Sequence, residues 1–444
     1  MNLNNVLFKH IDNSPLIIFR VIFGLLCFLE SVGAIATGWV KRTLIDPQFT
    51  FSFIGFEWLQ PLPENWMYAY YLVMGVFGFL IMLGYKYRMS TIMFTLMWLG
   101  TYLMQKSSYN NHYYLLIFLS AIMVFQPANK YFSIDAKQNP SIKSISMPYW
   151  CSLLFIIQMF IVYTFGSIAK IYPDWLDGTV MELLMRSKQN YYLIGDFLQQ
   201  TWLRYFLAYG GILFDGLIIP LLLFKPTRKW AFYASIFFHL FNSIVFQVGI
   251  FPYLSLAFAL FFFEPKTVRN IFLKKKPFYN KGEVIIPAYQ KPLIIIGTIY
   301  FIIQIGLPLR HHFIKDNVLW TEEGHRMSWR MMLRTKHGIA TYKIVNKETQ
   351  EATLVNLDDY LTKKQQRLAS AKPDVIWQFA QHLKKEYAKK GDDISVYVDS
   401  KISINGRPYK SLTDPKVDLA AQKWLTFKHS PWLLPSSLEE KTSN

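Results

Sequence analysis

Stretches of about twenty mostly apolar residues recur along this chain, and they limit the fold more than any other feature, because a helix of that length crosses the hydrocarbon of a bilayer. They lie at about residues 16–38, 68–84, 90–106, 112–126, 149–171, 205–224, 229–247, 250–263 and 292–309. The pattern predicts a polytopic α-helical membrane protein with about nine membrane-embedded helices, residues 1–309. The shortest run, PYLSLAFALFFF, suits a half-span or a buried helix as well as a crossing one. Composition agrees: 52% of the residues are hydrophobic and only 17% charged, the balance of a chain solvated by lipid.

The formal net charge of +18 does not mark a nucleic-acid protein. Lys and Arg sit in short loops between apolar runs and form no polar face, so they read as topology signals, and no nucleic-acid partner is expected. The N-terminus, GYKYRM, the 127–148 loop, KPTRK and the loop after Phe263 hold about sixteen of them, the alternate loops about six. By the positive-inside rule the N-terminus is cytoplasmic, and an odd number of spans places everything after Leu309 outside. The first apolar run lacks a small-residue cleavage site and reads as a retained span. From Arg310 the composition turns soluble, with a strand pair expected in ATYKIVNKETQEATLV, an amphipathic helix in KPDVIWQFAQHLKKEYAKK and a hairpin in ISVYVDSKISINGRPY. Residues 310–444 are therefore expected to form a small extracytoplasmic α+β domain packed on the membrane part.

Two polar clusters share one layer of this scheme. YTFGSIAKIYPDW carries Lys170 at the outer end of the fifth run, and QKSSYNNHYYLL carries Asn110, Asn111 and His112 at the outer end of the fourth. Each has a bland reading. Lys170 can snorkel to the headgroups, Asn-Asn-His can cap a helix, and His239, deep in the seventh run, can make a structural hydrogen bond. Together they have a chemical one: a desolvated lysine can offer a neutral amine to a proton, with an imidazole to orient or relay it. Other chemistries find no footing. There is no phosphate-binding Gly loop, Cys-x-x-Cys pair, His-Glu-x-x-His helix or Gly-x-Ser-x-Gly elbow, and His311-His312 lacks a spaced partner, so no metal site is expected. Cys27 and Cys151 lie in apolar runs and offer no disulfide framework.

PLPENWMYAYYLVM, NNHYY, IVYTFGSIAKIYPDWLDG, FFHLFNSIVFQVGIFPY, the Ser-Trp-x-Met-Met of MSWRMML, and SINGRPY followed by DPKVD occur in one order along nearly the whole chain. In these blocks the sequence closely resembles the vitamin K-dependent gamma-glutamyl carboxylases and their bacterial relatives with a horizontally transferred transmembrane domain. The resemblance implies a catalytic set of Lys170, the base that deprotonates reduced vitamin K (phylloquinol or menaquinol), with Asn111 and His112 assisting. It implies that oxygenation of the deprotonated quinol yields a strong base, which takes a γ-hydrogen from a glutamyl side chain. The carbanion then captures CO2, and the quinone leaves as its epoxide. Phe251, Met331 and Met332 match apolar residues of the quinone pocket, and Trp320 and Trp329 its lid. Arg186, Arg334, Lys336 and His325 match or neighbour the glutamate mouth.

The departures matter. His325 stands where animal members have Tyr, Arg334 and Lys336 where they have His and Arg, and animal members continue well past PWLLP. The cysteines of the disulfide that ties the two halves of animal members are missing. The resemblance therefore implies a carbon-carbon lyase with epoxidase activity, acting on a glutamate-containing peptide or protein in a bacterial inner membrane. Two alternatives stay open: a quinol epoxidase without carboxylation, and a non-catalytic membrane binding protein of the same fold.

Overall fold

The computed structural model describes residues 2–436 and Leu438. Among the described residues five helices are long and apolar enough to cross a membrane: Ser14–Ala36, Trp66–Leu83, Trp150–Ile168, Thr201–Leu223 and Gln290–Phe313. The other four expected crossings are helical but shorter or more polar. Tyr87–Met104 opens on Tyr-Arg-Met-Ser-Thr. Asn111–Phe125 has 15 residues, Arg228–Phe241 has 14 and Phe251–Phe258 has 8; at 1.5 Å per residue even the longest of these three falls short of a hydrocarbon core of about 30 Å. The run predicted at 229–247 is interrupted because polar Asn242 and Ser243 open a π-helical turn, and Gln247 and Gly249 follow at positive φ.

Helix contact in lipid depends on small residues, since lipid tails are as apolar as leucine. The first two long helices show it: a Cβ added to Gly24 would lie 2.2 Å from the Met82 nitrogen, and one added to Gly78 would lie 2.7 Å from that of Phe28. The last long helix is different. Ile295, Ile296, Ile299, Ile302 and Ile303 are all exposed, a surface suited to acyl chains.

Beyond this bundle the backbone forms a four-stranded antiparallel sheet in the order Ala352–Leu354, Lys336–Asn346, Ile394–Ile404, Lys410–Ser411. Helix Pro373–Ala388 packs on it through Val375, Ile376, Phe379, Ala380 and Leu383, the apolar stripe of a 3.6-residue period. The hairpin expected in 394–409 turns late: Ile394–Ile404 is one continuous strand, and Asn405 and Gly406, at φ of 52° and 77°, make the turn. Asn-Gly suits it, because both positions need the left-handed region.

Sheet and bundle are clamped together. Lys106, in the short connection after Met104, sends its ammonium to Asp374 at 3.0 Å, and Arg326 reaches the same carboxylate at 3.0 Å. Burial lowers Lys106 to about 8, with Asp374 opposing. On the other side of the hairpin, Asn405 Nδ2 donates to Asp174 at 2.7 Å and Arg407 Nη2 does so at 2.7 Å. Asp174 lies four residues after Lys170.

Candidate functional site

The Trp150–Ile168 helix ends two residues before Lys170, whose side chain folds back along it, donating to the Gly166 carbonyl at 3.2 Å. Its ammonium ion-pairs with Asp215 of the Thr201–Leu223 helix, and the indole of Trp175 lies 5.7 Å away. Gly166 makes this meeting possible, since a Cβ there would sit 3.3 Å from Asp215 Oδ2. Both members of the pair are buried. The snorkelling reading of Lys170 thus gives way to an inward ion pair. Asp215 was absent from the candidates read in the sequence, although it is the only charged residue in the apolar run 205–224, and an intramembrane carboxylate is a functional signal in its own right.

The three polar residues opening the Asn111–Phe125 helix divide the work. Asn110 is the cap, its Oδ1 accepting from Tyr113 N at 2.7 Å. Asn111 donates through Nδ2 to the Arg330 carbonyl at 3.0 Å and accepts from the Tyr109 hydroxyl at 2.9 Å. His112 lies flat against Phe251, ring centroids 4.2 Å apart and planes 17° from parallel. His239 makes the structural bond considered for it, Nε2 lying 3.0 Å from the Tyr163 hydroxyl.

A cavity of about 710 Å³ collects His112, Lys170, Asp215, Phe251, Met331 and Met332 on one lining. Most of the remaining wall is phenylalanine, leucine and isoleucine from the helices around it. Trp320 and Trp329 are not on that lining. The Trp320 indole donates to the Leu434 carbonyl at 2.9 Å inside the C-terminal core, and Trp329 is buried in the bundle against Tyr114, 4.9 Å between centroids. Both rings are packed among neighbours distant in sequence, Trp320 in the C-terminal core and Trp329 in the bundle. Arg186 is also apart, exposed and paired with Glu182 at 2.9 Å.

Arg334, Lys336 and His325 do come together, around a residue the sequence reading passed over. Glu322 Oε1 receives Arg334, Lys372 at 2.7 Å and Lys336 at 3.3 Å. Arg334 Nη1 lies 3.5 Å from His325 Nδ1. Burial lowers Lys336 to about 7 and Lys372 to about 8, Glu322 opposing in both cases. His325 falls well below its usual range through burial and the charge of Arg334, so it is neutral at pH 7. Glu322 is pushed up by burial, but the cations outweigh this and hold it well below the usual carboxylate range.

Among the described residues no group of three or more His, Cys, Asp or Glu is placed to hold a metal ion. The sequence matches the HTTM domain family over residues 8–266 and the family described as vitamin K-dependent gamma-carboxylase, lumenal domain, over residues 289–439. No solved structure matches the chain.

Proposed function

The chain belongs to the vitamin K-dependent gamma-carboxylase family, with an HTTM domain over more than half its length, and from this premise we propose that it carboxylates glutamyl side chains of a peptide or protein. The co-reactants are reduced vitamin K (phylloquinol or menaquinol), O2 and CO2, and quinol epoxidation is coupled to carboxylation. The observation that carries this reading is the Lys170–Asp215 pair facing, with His112, an apolar cavity of about 710 Å³. That volume lies within the roughly 300–1,000 Å³ of small-molecule sites. Its aromatic and methionine walls suit a fused-ring quinone with an isoprenoid tail.

When bound, the quinol supplies, together with O2, the strong base that removal of a γ-hydrogen requires. The protein's part is narrower. Asp215 holds Nζ at the cavity wall and takes a proton from its ammonium, and the neutral Lys170 Nζ then accepts the quinol hydroxyl proton. The pair has no net charge with the proton on either partner, so the exchange moves no uncompensated charge into the low-dielectric interior. His112, fixed against Phe251, orients the hydroxyl, and Asn111 anchors the segment that presents Met331 and Met332. The apolar walls keep water from the strong base. Labelled CO2 supplied to the purified protein with reduced vitamin K and a glutamyl peptide tests the reading. Label in the peptide is expected, and its absence with intact epoxide formation would leave only the epoxidase.

That second reading has a specific observation behind it: Glu322 already occupies the cations expected to receive the substrate carboxylate. Under the carboxylase reading, Arg334→Gln or Lys336→Met raises the glutamyl KM about ten- to a hundredfold, the worth of a charge-assisted hydrogen bond, with a smaller effect on kcat. Initial rates at varied peptide concentration check this.

For topology, the reading takes nine embedded helices in residues 1–309, the N-terminus in the cytoplasm, and residues 310–444 as an extracytoplasmic α+β domain on a bacterial inner membrane. The loop charge asymmetry supports it. A thiol introduced beside Gly391 is expected to react with an impermeant reagent outside sealed cells. Labelling only after the membrane is opened would invert the topology.

A further inference from the structure

Two segments aim three cations at one carboxylate oxygen. Arg334 and Lys336 come from the start of the Lys336–Asn346 strand and Lys372 from the residue before the Pro373–Ala388 helix, and all meet Glu322 Oε1. The side chains of Arg334, Lys336 and Glu322 are 5%, 3% and 8% exposed, so water does little to screen them. One carboxylate faces three cations. The surplus makes this a site for anions, and it is joined to the quinone cavity by the backbone, because Met332 lines that cavity two residues before Arg334.

We infer that Glu322 is a tethered competitor for the substrate: its carboxylate occupies the donors a peptidyl glutamate needs, and substrate binds by displacing it. The inference rests on the carboxylase reading. The tethered group and the incoming group are chemically the same, a glutamyl carboxylate, so the two cannot both be served by the same three donors at full strength. Binding becomes an exchange of like for like, weaker than binding to an empty cation cluster. Release becomes easier in the same measure, because Glu322 reoccupies the donors as the product leaves. The backbone gives this residue an unusual setting, at φ of 60° where the four-residue helix Val318–Thr321 ends; a side chain held at such a position depends on its surroundings to stay there.

The charged groups facing Lys336 are Glu322, Arg334 and Lys372, and those facing Lys372 are Glu322, Arg334, Lys336 and Arg326. With Lys336 lowered to about 7 and Lys372 to about 8, raising the pH through that range removes positive charge and weakens carboxylate binding. Arg334 stays charged throughout.

The test is equilibrium binding of a fluorescent glutamyl peptide to the purified full chain, without quinol or CO2, for wild type and Glu322→Gln. The variant keeps the shape and loses the charge. It is expected to bind the glutamyl peptide about tenfold more tightly than wild type, with no such gain for the glutaminyl peptide. Its advantage should shrink as the pH rises, starting lower than the wild-type lysine values, because Glu322 raises Lys336 and Lys372 and the variant lacks that charge. Equal or weaker binding by a folded Glu322→Gln would overturn the inference and make Glu322 a structural counter-ion. If the variant melts early, acetate or free glutamate should raise its melting temperature more than that of wild type, and equal responses would also overturn it. Because no turnover is involved, failure here is separable from failure of the carboxylase reading, which labelled CO2 decides.

Discussion

Lys170→Ala is expected to abolish quinol epoxidation together with carboxylation, lowering the epoxide rate at least by the 10²–10⁴ that a positioned acid-base group typically contributes. Both activities fall because Lys170 acts before either product forms. Lys170→Arg should not rescue, since a guanidinium stays protonated and cannot accept the quinol proton. A small exogenous amine that enters the cavity should restore part of the epoxide rate in the alanine variant. Epoxide formation is the measurement to make, as it does not depend on how the peptide binds. Wild-type rates in Lys170→Ala would make the ion pair structural and remove the lysine from the mechanism.

Asp215→Ala should unsettle the protein as well as the chemistry. It strands the Lys170 ammonium, and removing one partner of a buried ion pair typically costs about 3–5 kcal/mol. Thermal unfolding in detergent or lipid discs should show a large drop in Tm. The double variant Lys170→Met, Asp215→Leu should recover most of it, because apolar residues of similar volume often replace a buried pair at little cost, yet it should form no epoxide. Stability and catalysis are thereby separated at one position. An Asp215→Ala protein that melts like wild type would show that the two side chains do not depend on each other.

The sequence revealed the parts of this site that topology alone can place. Alternating apolar runs and loop charge put Lys170 and His112 in one layer, and the structure lines one cavity with both. Asp215 was overlooked because attention to the ends of runs passes over a charge in the middle of one. Glu322 and Lys372 could not be paired by inspection, since 50 residues separate them and their meeting depends on how the sheet is seated. The same limit explains Trp320: its ring donates to Leu434, 114 residues away, a contact no local pattern announces. The run at 229–247 departs from its expected length for a local reason. Hydropathy counted Asn242 and Ser243 as tolerable interruptions, whereas the backbone ends its α-helix there.

The salt-bridged turn at Asn405 and Arg407 bears on how freely this architecture can be recombined. Asp174, which receives both side chains, lies on the short segment that also carries Lys170. A chimera joining this bundle to the C-terminal half of a relative would therefore inherit a seam at the base of its proton acceptor. Asp174, Asn405 and Arg407 would have to travel as a set, for a graft that kept the carboxylate and lost its two donors would leave an unpaired charge four residues from Lys170. The two halves can be cut apart on paper at residue 309, but as units of inheritance they are bound by Asp174, Asn405 and Arg407 as well as by the Lys106–Asp374 pair.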